Sequence, residues 1–288
     1  MRAYHHTRRH LEEYIFKILM LTSFGLIIAG LGFILLTVLF KGLPAINLAM
    51  LIETPKGGYY LGKEGGILNA IAGSLYLASG GTILAIIIGI PLALFMKTYG
   101  GRSPWAGMIR LSMDVLWGVP SIVYGAFGFL LMLALGLRSS LLGGIITLAL
   151  LELPILTRAA DEVIRLIPQD LEQASYALGS TRLETAIHII SRQIFPGLVT
   201  AIMLAFGRGI GDAASVLFTA GYTDRIPTSL LQPVGSLPLA IFFQLNTPYP
   251  EVQNRAYAAA LVLTIIVLVI SLGARWLSNR LNHFVVKS

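Results

Sequence analysis

Six long stretches of this chain are almost free of charged side chains, and nothing else in the sequence limits its fold so strongly. Residues 18–40, 65–96, 115–137 and 256–274 carry no charge, 139–157 carries only Glu152, and 194–223 carries only Arg208 and Asp212. A bilayer core of about 30 Å is crossed by about 20 apolar residues in a helix, so each stretch is long enough to span it. With 56% of 288 residues hydrophobic, one soluble core could not hide the apolar surface, and lipid must cover the excess. The sequence therefore predicts an all-α membrane protein with six transmembrane helices. The first stretch is longer than a signal-peptide core and lacks a small-residue cleavage pattern, so it reads as a retained span.

The formal net charge is +7. Basic residues gather beside the apolar stretches rather than alternating with stacking aromatics, which argues against nucleic acid and for membrane lipids with anionic headgroups. Arg2, Arg8, Arg9 and Lys17 precede the first stretch, Lys97, Arg102 and Arg110 follow the second, Arg158, Arg165, Arg182 and Arg192 follow the fourth, and Arg275, Arg280 and Lys287 follow the sixth. The opposite connectors hold Lys41, Lys56, Lys63, Arg138, Arg225 and Arg255, partly offset by Glu53, Glu64, Asp224 and Glu251. By the positive-inside rule both termini lie in the cytoplasm. The expected organisation is a cytoplasmic tail (1–17), a first helix with an external connector (18–64), a core with five helices (65–274), and a cytoplasmic tail (275–288). Within the core, 159–193 is a cytoplasmic loop and 224–255 an external one. Residues 226–250 are uncharged but contain five prolines, which predicts a re-entrant or surface element rather than a seventh span.

The loop 159–193 reads as folded. Pro168 can open a helix whose first turn holds Asp170 and Glu172, Gly179 supplies a stop, and Thr181 with Glu184 fits a capping box opening a second helix from Arg182 towards Gln193. Leu171, Ala174, Ser175 and Leu178 recur at helical spacing as one small, mostly apolar stripe. Such a stripe either docks a partner or packs against the chain's own spans.

The run Gln173-Ala-Ser-Tyr-Ala-Leu-Gly179, with Ile189 ten residues beyond the glycine, resembles the glutamate-alanine-alanine loop of ABC-importer permeases. It departs from that pattern at Gln173, Ser175, Ser191 and Arg192. Gly118-Val-Pro-Ser-Ile-Val-Tyr-Gly125, Leu153-Pro-Ile-Leu-Thr-Arg158, Gly207-Arg-Gly-Ile-Gly-Asp212 and Leu217-Phe-Thr-Ala-Gly221 resemble the phosphate-uptake permeases of the PstA and PstC type, the last favouring PstA. The resemblance implies a type I ABC-importer permease fold with a cytoplasmic coupling-helix loop, in which Leu171, Gln173, Ala174, Ser175, Leu178 and Gly179 meet an ATPase. It further implies a second, PstC-like permease subunit, a PstB-like cytoplasmic ATPase dimer holding the ATP, a PstS-like extracytoplasmic phosphate-binding protein, and residence in a prokaryotic inner membrane.

Phosphate cannot cross hydrocarbon without donors at depth, because an isolated ion there costs tens of kcal/mol by the Born estimate. Arg208 offers a permanently charged planar fork that matches two phosphate oxygens, and Asp212, four residues on, can neutralise it before the anion arrives. These two are the expected substrate-path residues; a structural salt bridge between helices is the alternative. Gly207, Gly209 and Gly211 would let backbones approach there. Glu152, beside Pro154 in a broken fourth span, is expected near a helix end at the cytoplasmic surface, with gating as the alternative, Arg110 with Asp114 as an interfacial pair, and the glycines and Pro120 of 118–128 as packing sites rather than a hinge. His5, His6 and His10 read as a solvated tail, and no metal is expected. There is no cysteine, no Gly-rich loop ending in Gly-Lys-Ser/Thr and no His-Glu-x-x-His helix, so the chain should bind no cofactor and hydrolyse no ATP itself. A permease for sulfate or molybdate and a non-transporting membrane enzyme or assembly protein are the competing readings.

Overall fold

The computed structural model describes residues 2–56, 64–100 and 103–281, with side chains from Glu12 to Arg280 except Glu64. Lys63, Arg102 and Lys287 lie outside the described residues, as do the side chains of Arg2, Arg8, Arg9 and of His5, His6 and His10. Helix α1 (Arg2–Gly42) leads through a short 3-10 turn into α2 (Leu48–Ile52) and an antiparallel pair, β1 (Pro55–Lys56) and β2 (Glu64–Gly65). Then follow α3 (Leu68–Thr98), α4 (Pro104–Trp117), α5 (Ser121–Ala134), α6 (Leu141–Arg165) and α7 (Gln169–Ala177). Helix α8 (Arg182–Glu184) runs through a π-helical stretch (Thr185–Ile190) into α9 (Ser191–Ile210), and α10 (Leu237–Leu245) and α11 (Pro250–Leu281) complete the chain.

Among the described residues five helices are long and apolar enough to cross a bilayer: α1, α3, α6, the continuous helix Arg182–Ile210, and α11. Helices α4 and α5 are long and apolar enough only as a pair, bent by 103° between them, which makes a sixth crossing if the pair is one broken span rather than a re-entrant loop. The third stretch is therefore not one straight span. Pro120 lacks the N–H that would continue α4 and disfavours helical geometry at Val119, so the chain turns over Gly118, Val119 and Pro120. The Tyr124 hydroxyl donates to the Leu116 carbonyl across the bend at 2.8 Å, tying α5 to the end of α4. Gly125 and Gly128 are packing sites, as expected: a Cβ at Gly125 would stand 2.7 Å from the Ala214 carbonyl oxygen, and one at Gly128 would strike the Thr147 side chain.

Helix α6 is the hub. Two thirds (67%) of its most apolar window is buried inside the chain, against none for α1, which lies along the outside and touches α11 where Gly42 meets the Tyr257 carbonyl. Small residues let α3 and α6 pack backbone to side chain: Gly81 abuts Leu148, Gly89 abuts Thr157, and Gly144 abuts Leu77. Helix α9 closes the other side of α6, with Gly197 against Val163. Pro154, expected to break the fourth span, sits inside a continuous α6.

The fifth stretch also differs from the sequence reading. Its helix stops at Ile210, and 211–236 continues as turns. Irregular backbone survives at membrane depth only where protein supplies its partners. Here the N–H groups of Ser140, Leu141 and Leu142 at the start of α6 donate to the carbonyls of Thr219, Gln232 and Leu230, and Val234 N–H donates to Ala220. At the helix's other end the separate loop helix expected to stop near Gln193 runs on, so Arg182–Ile210 is one rod. The proline-rich segment contains α10, enclosed rather than superficial: Leu237, Leu239 and Ala240 are fully buried, and the Leu237 N–H donates to Ser74 Oγ of α3 at 2.8 Å.

Candidate functional site

Glu152 fixes the depth of everything near it. It lies 11 residues from the first and 13 from the last residue of α6, about 17 and 20 Å along the axis, so it is in mid-span. This corrects its expected place near a helix end. Its Oε1 sits where a Cβ on Gly209 would be, so the last turn of α9 is at the same depth. Arg208 belongs to that turn.

The Arg208 side chain is 54% exposed and lines a cavity of about 280 Å³. Leu116, Trp117 and Val119 from the α4–α5 bend, Leu151 and Ile155 from α6, and Leu204 from α9 make the other walls. Taking about 30 Å³ as the share of one water in the liquid, the space is worth about nine waters, ample for a tetrahedral anion and part of its hydration shell. Arg208 and Trp117 are the only lining side chains that can donate a hydrogen bond. An apolar cavity with one guanidinium and one indole N–H favours an anion, because low-polarity walls leave the charge unscreened. Leu204, Gly207, Arg208 and Gly211 share one face of the helix. A Cβ on Gly207 would meet nothing within 4 Å and one on Gly211 only its own helix, so these two leave open the space beside Arg208. Of the three glycines only Gly209 provides a close approach.

Asp212 stands just beyond the helix end rather than on its face. Its side chain is 5% exposed, its Oδ2 accepts from the Ser215 N–H at 2.8 Å, and its Oδ1 lies 3.7 Å from Arg208 Nη2. One oxygen thus shapes the turn, while the other stays at ion-pair range of the guanidinium. The separation is long for a charge-assisted hydrogen bond, leaving the Arg208 fork free to engage a second anion.

At the far end of the Arg182–Ile210 rod lies α7. Both halves of the Thr181–Glu184 capping box form, and Gly179 takes φ +86°, a left-handed turn that a side chain would strain. The apolar stripe divides. Leu171 packs against the core cluster that contains Met96, Ile164 and Ile190, and Ser175 Oγ lies 2.9 Å from Thr185 Oγ1, so those two face inward. Gln173, Ala174, Leu178 and Gly179 face outward, Leu178 being 87% exposed. Lys97 at the end of α3 pairs with Glu172 at 2.7 Å.

Residues 85–285 match the family of binding-protein-dependent transport system inner membrane components. The chain is 36% identical over 250 residues to the phosphate transport system permease protein PstA of Xylella fastidiosa, covering 85% of this chain and 84% of that one. It is 33% identical over 271 residues to PstA of Yersinia pestis, covering 93% and 91%. The chain belongs to the PstA family of binding-protein-dependent transport permeases. Mycobacterium tuberculosis has a PstA 1 at 34% identity over 271 residues, covering 93% of this chain and 88% of its own. The fold of this PstA-family chain is also that of solved ABC transporters: inward-facing MetNI, the methionine transporter, matches with TM-score 0.62 at 17% identity over 75% of this chain and 95% of its own. A bacterial importer of the acidic polysaccharide alginate matches with TM-score 0.51 at 15% identity, over 88% and 95%.

Two features of this permease escaped the sequence reading. Arg110 does not pair with Asp114. Its guanidinium donates to both oxygens of Asp161 on α6, at 3.0 and 3.2 Å, while Asp114 pairs with Arg158 at 2.6 Å. Arg158 and Arg165 also reach Asp161, whose side chain is fully buried, so three arginines converge on one carboxylate and tie α4 to α6. The spacing of Arg158, Asp161 and Arg165 at i, i+3 and i+7 was the available signal. Trp117 was also missed; its signal was its place one residue before the Gly118-Val119-Pro120 break.

Proposed function

We propose that this chain is the membrane-spanning permease subunit of an ATP-driven phosphate importer, and that Arg208 and Asp212 lie on the translocation path. Phosphate is the substrate for which its relatives are named. The observation that carries the reading is the half-exposed guanidinium of Arg208 at mid-span, opening into an apolar cavity of about 280 Å³. A cation within the bundle, held open to a cavity, costs stability that a purely structural salt bridge would avoid by closing on its carboxylate.

The end of the bundle carrying α7, Lys97, Arg110, Arg158 and Arg165 faces the cytoplasm in this reading, and six crossings bring both termini to that side. Residues 1–17 and 275–288 are then cytoplasmic tails, 159–193 the coupling loop and 224–255 an external loop from which α10 re-enters the bundle. The outward residues of the α7 loop, Gln173, Ala174, Leu178 and Gly179, engage a PstB-like ATPase dimer, while Leu171 and Ser175 fasten α7 to its own chain. ATP is bound and hydrolysed there and not on this subunit. Because Arg182–Ile210 is one rod, displacement of α7 at the Gly179 turn is delivered to Arg208 at the other end. A PstC-like second permease completes the path, and a PstS-like protein supplies phosphate from outside.

The reading is tested by uptake into vesicles holding the reconstituted complex. Unlabelled phosphate should compete fully with radiolabelled phosphate and equimolar sulfate or molybdate should not; equal competition by sulfate would reassign the substrate.

A further inference from the structure

We propose that Glu152 is the positioning residue for Arg208: it seats the last turn of α9 and so sets the direction in which the arginine enters the cavity. The inference rests on the reading of Arg208 as the anion-binding group. Glu152 is fully buried at mid-span. Thr82 Oγ1 on α3 donates to its Oε2 at 2.7 Å, while Oε1 has no hydrogen-bond partner. A carboxyl group at this depth with half of its acceptors unmet is costly, and an apolar side chain of similar size would fill the space more cheaply.

What Oε1 touches accounts for its presence. A Cβ on Gly209 would stand 1.8 Å from it and a Cβ on Gly81 would stand 3.5 Å away. With a Cα–Cβ bond of about 1.5 Å, Oε1 is within about 3.3 Å of the Gly209 Cα, the range of a weak Cα–H···O contact. The carboxyl is clasped between α3 and the bare backbone of α9, and Thr82 holds it with Oε1 turned to Gly209. Successive residues on a helix differ by about 100° in direction, so seating Gly209 on Glu152 turns Arg208 to the side of that contact and into the cavity beside Leu151 and Ile155. The two residues exclude each other's growth: a side chain at 209 displaces the carboxyl, and loss of the carboxyl unseats 209.

The chain has no cysteine, so Arg208→Cys introduces a single thiol whose modification rate by a charged, water-soluble methanethiosulfonate reports how position 208 faces the cavity. The assembled complex carrying Arg208→Cys is compared with and without changes at Glu152 and Gly209. Glu152→Gln, equal in size and still an acceptor for Thr82, should leave the rate within about twofold, and Glu152→Ala should change it by about fivefold or more. Gly209→Ala should reproduce the Glu152→Ala rate, because its methyl group expels Oε1. An unchanged rate in assembled Glu152→Ala complexes, or in assembled Gly209→Ala complexes, overturns the proposal. A merely structural Glu152 would lower yield without altering the rate in molecules that assemble. Where both single variants fail to assemble, the double variant decides: recovered assembly supports mutual seating, and continued failure overturns it. The labelling needs no phosphate, so this outcome is separate from whether Arg208 binds the anion.

Discussion

Lys97, in the last turn of α3, and Glu172, in the first turn of α7, form a 2.7 Å ion pair with their side chains only 20% and 19% exposed. The pair links α7 to α3, the helix that packs most closely on α6. Partial burial lifts it above the usual surface pair, to about 1 kcal/mol, or about fivefold in an equilibrium. Lys97→Glu and Glu172→Lys should each lower phosphate-stimulated ATP hydrolysis by about that factor, and the charge-swapped double variant should recover most of it. The stimulated ATPase rate of the reconstituted complex is the measurement.

Asp161 is the electrostatic anchor of the end of the bundle that carries α7. Its fully buried carboxylate holds Arg110, Arg158 and Arg165, and removing it leaves three clustered cations with only Asp114, on Arg158, to offset them. Breaking one side of such a buried pairing costs about 3 kcal/mol or more. Asp161→Ala should lower the thermal unfolding midpoint in detergent well below that of Asp114→Ala, whose carboxylate is 47% exposed.

Much of the architecture was legible because a charge-free run of bilayer length is a strong signal. Continuity within such a run was not. Hydropathy is blind to the bend at Gly118, Val119 and Pro120, and it cannot show that the helix ends at Ile210, since the backbone beyond is satisfied by residues at the start of α6. The proximity of Arg208 and Asp212 followed from their spacing, but the role of Asp212 in holding the Ser215 N–H belongs to the turn, which the sequence reading took for helix. Arg110 was assigned to Asp114 because four residues along a helix is close in sequence; Asp161, 51 residues away, is what it meets in space.

Gly207 offers a steric test of the path. No atom lies within 4 Å of the position a Cβ would take, so Gly207→Leu meets no steric barrier and gains about 0.8 kcal/mol of helix propensity. The added side chain fills the space beside Arg208. Normal yield of assembled complex with phosphate uptake reduced about tenfold or more is the expected pair of results.

The outward half of the α7 loop is tested at Leu178 and Gly179. Leu178→Glu alters a side chain that is 87% exposed and should leave the fold intact while weakening co-purification of the ATPase. Gly179→Ala forces a side chain into a φ of +86°, at a cost of about 1–2 kcal/mol, and should weaken the same association to a lesser degree. Quantitative pull-down of the ATPase measures both.

The central claim is that the guanidinium of Arg208 carries the anion through the middle of the membrane. Radiolabelled phosphate uptake by vesicles containing Arg208→Ala, in complexes verified as fully assembled, measures it directly. The account predicts a fall of about 30-fold or more, partly restored by Arg208→Lys, which keeps the charge but loses the planar fork. Uptake by assembled Arg208→Ala complexes at the unsubstituted rate would contradict it.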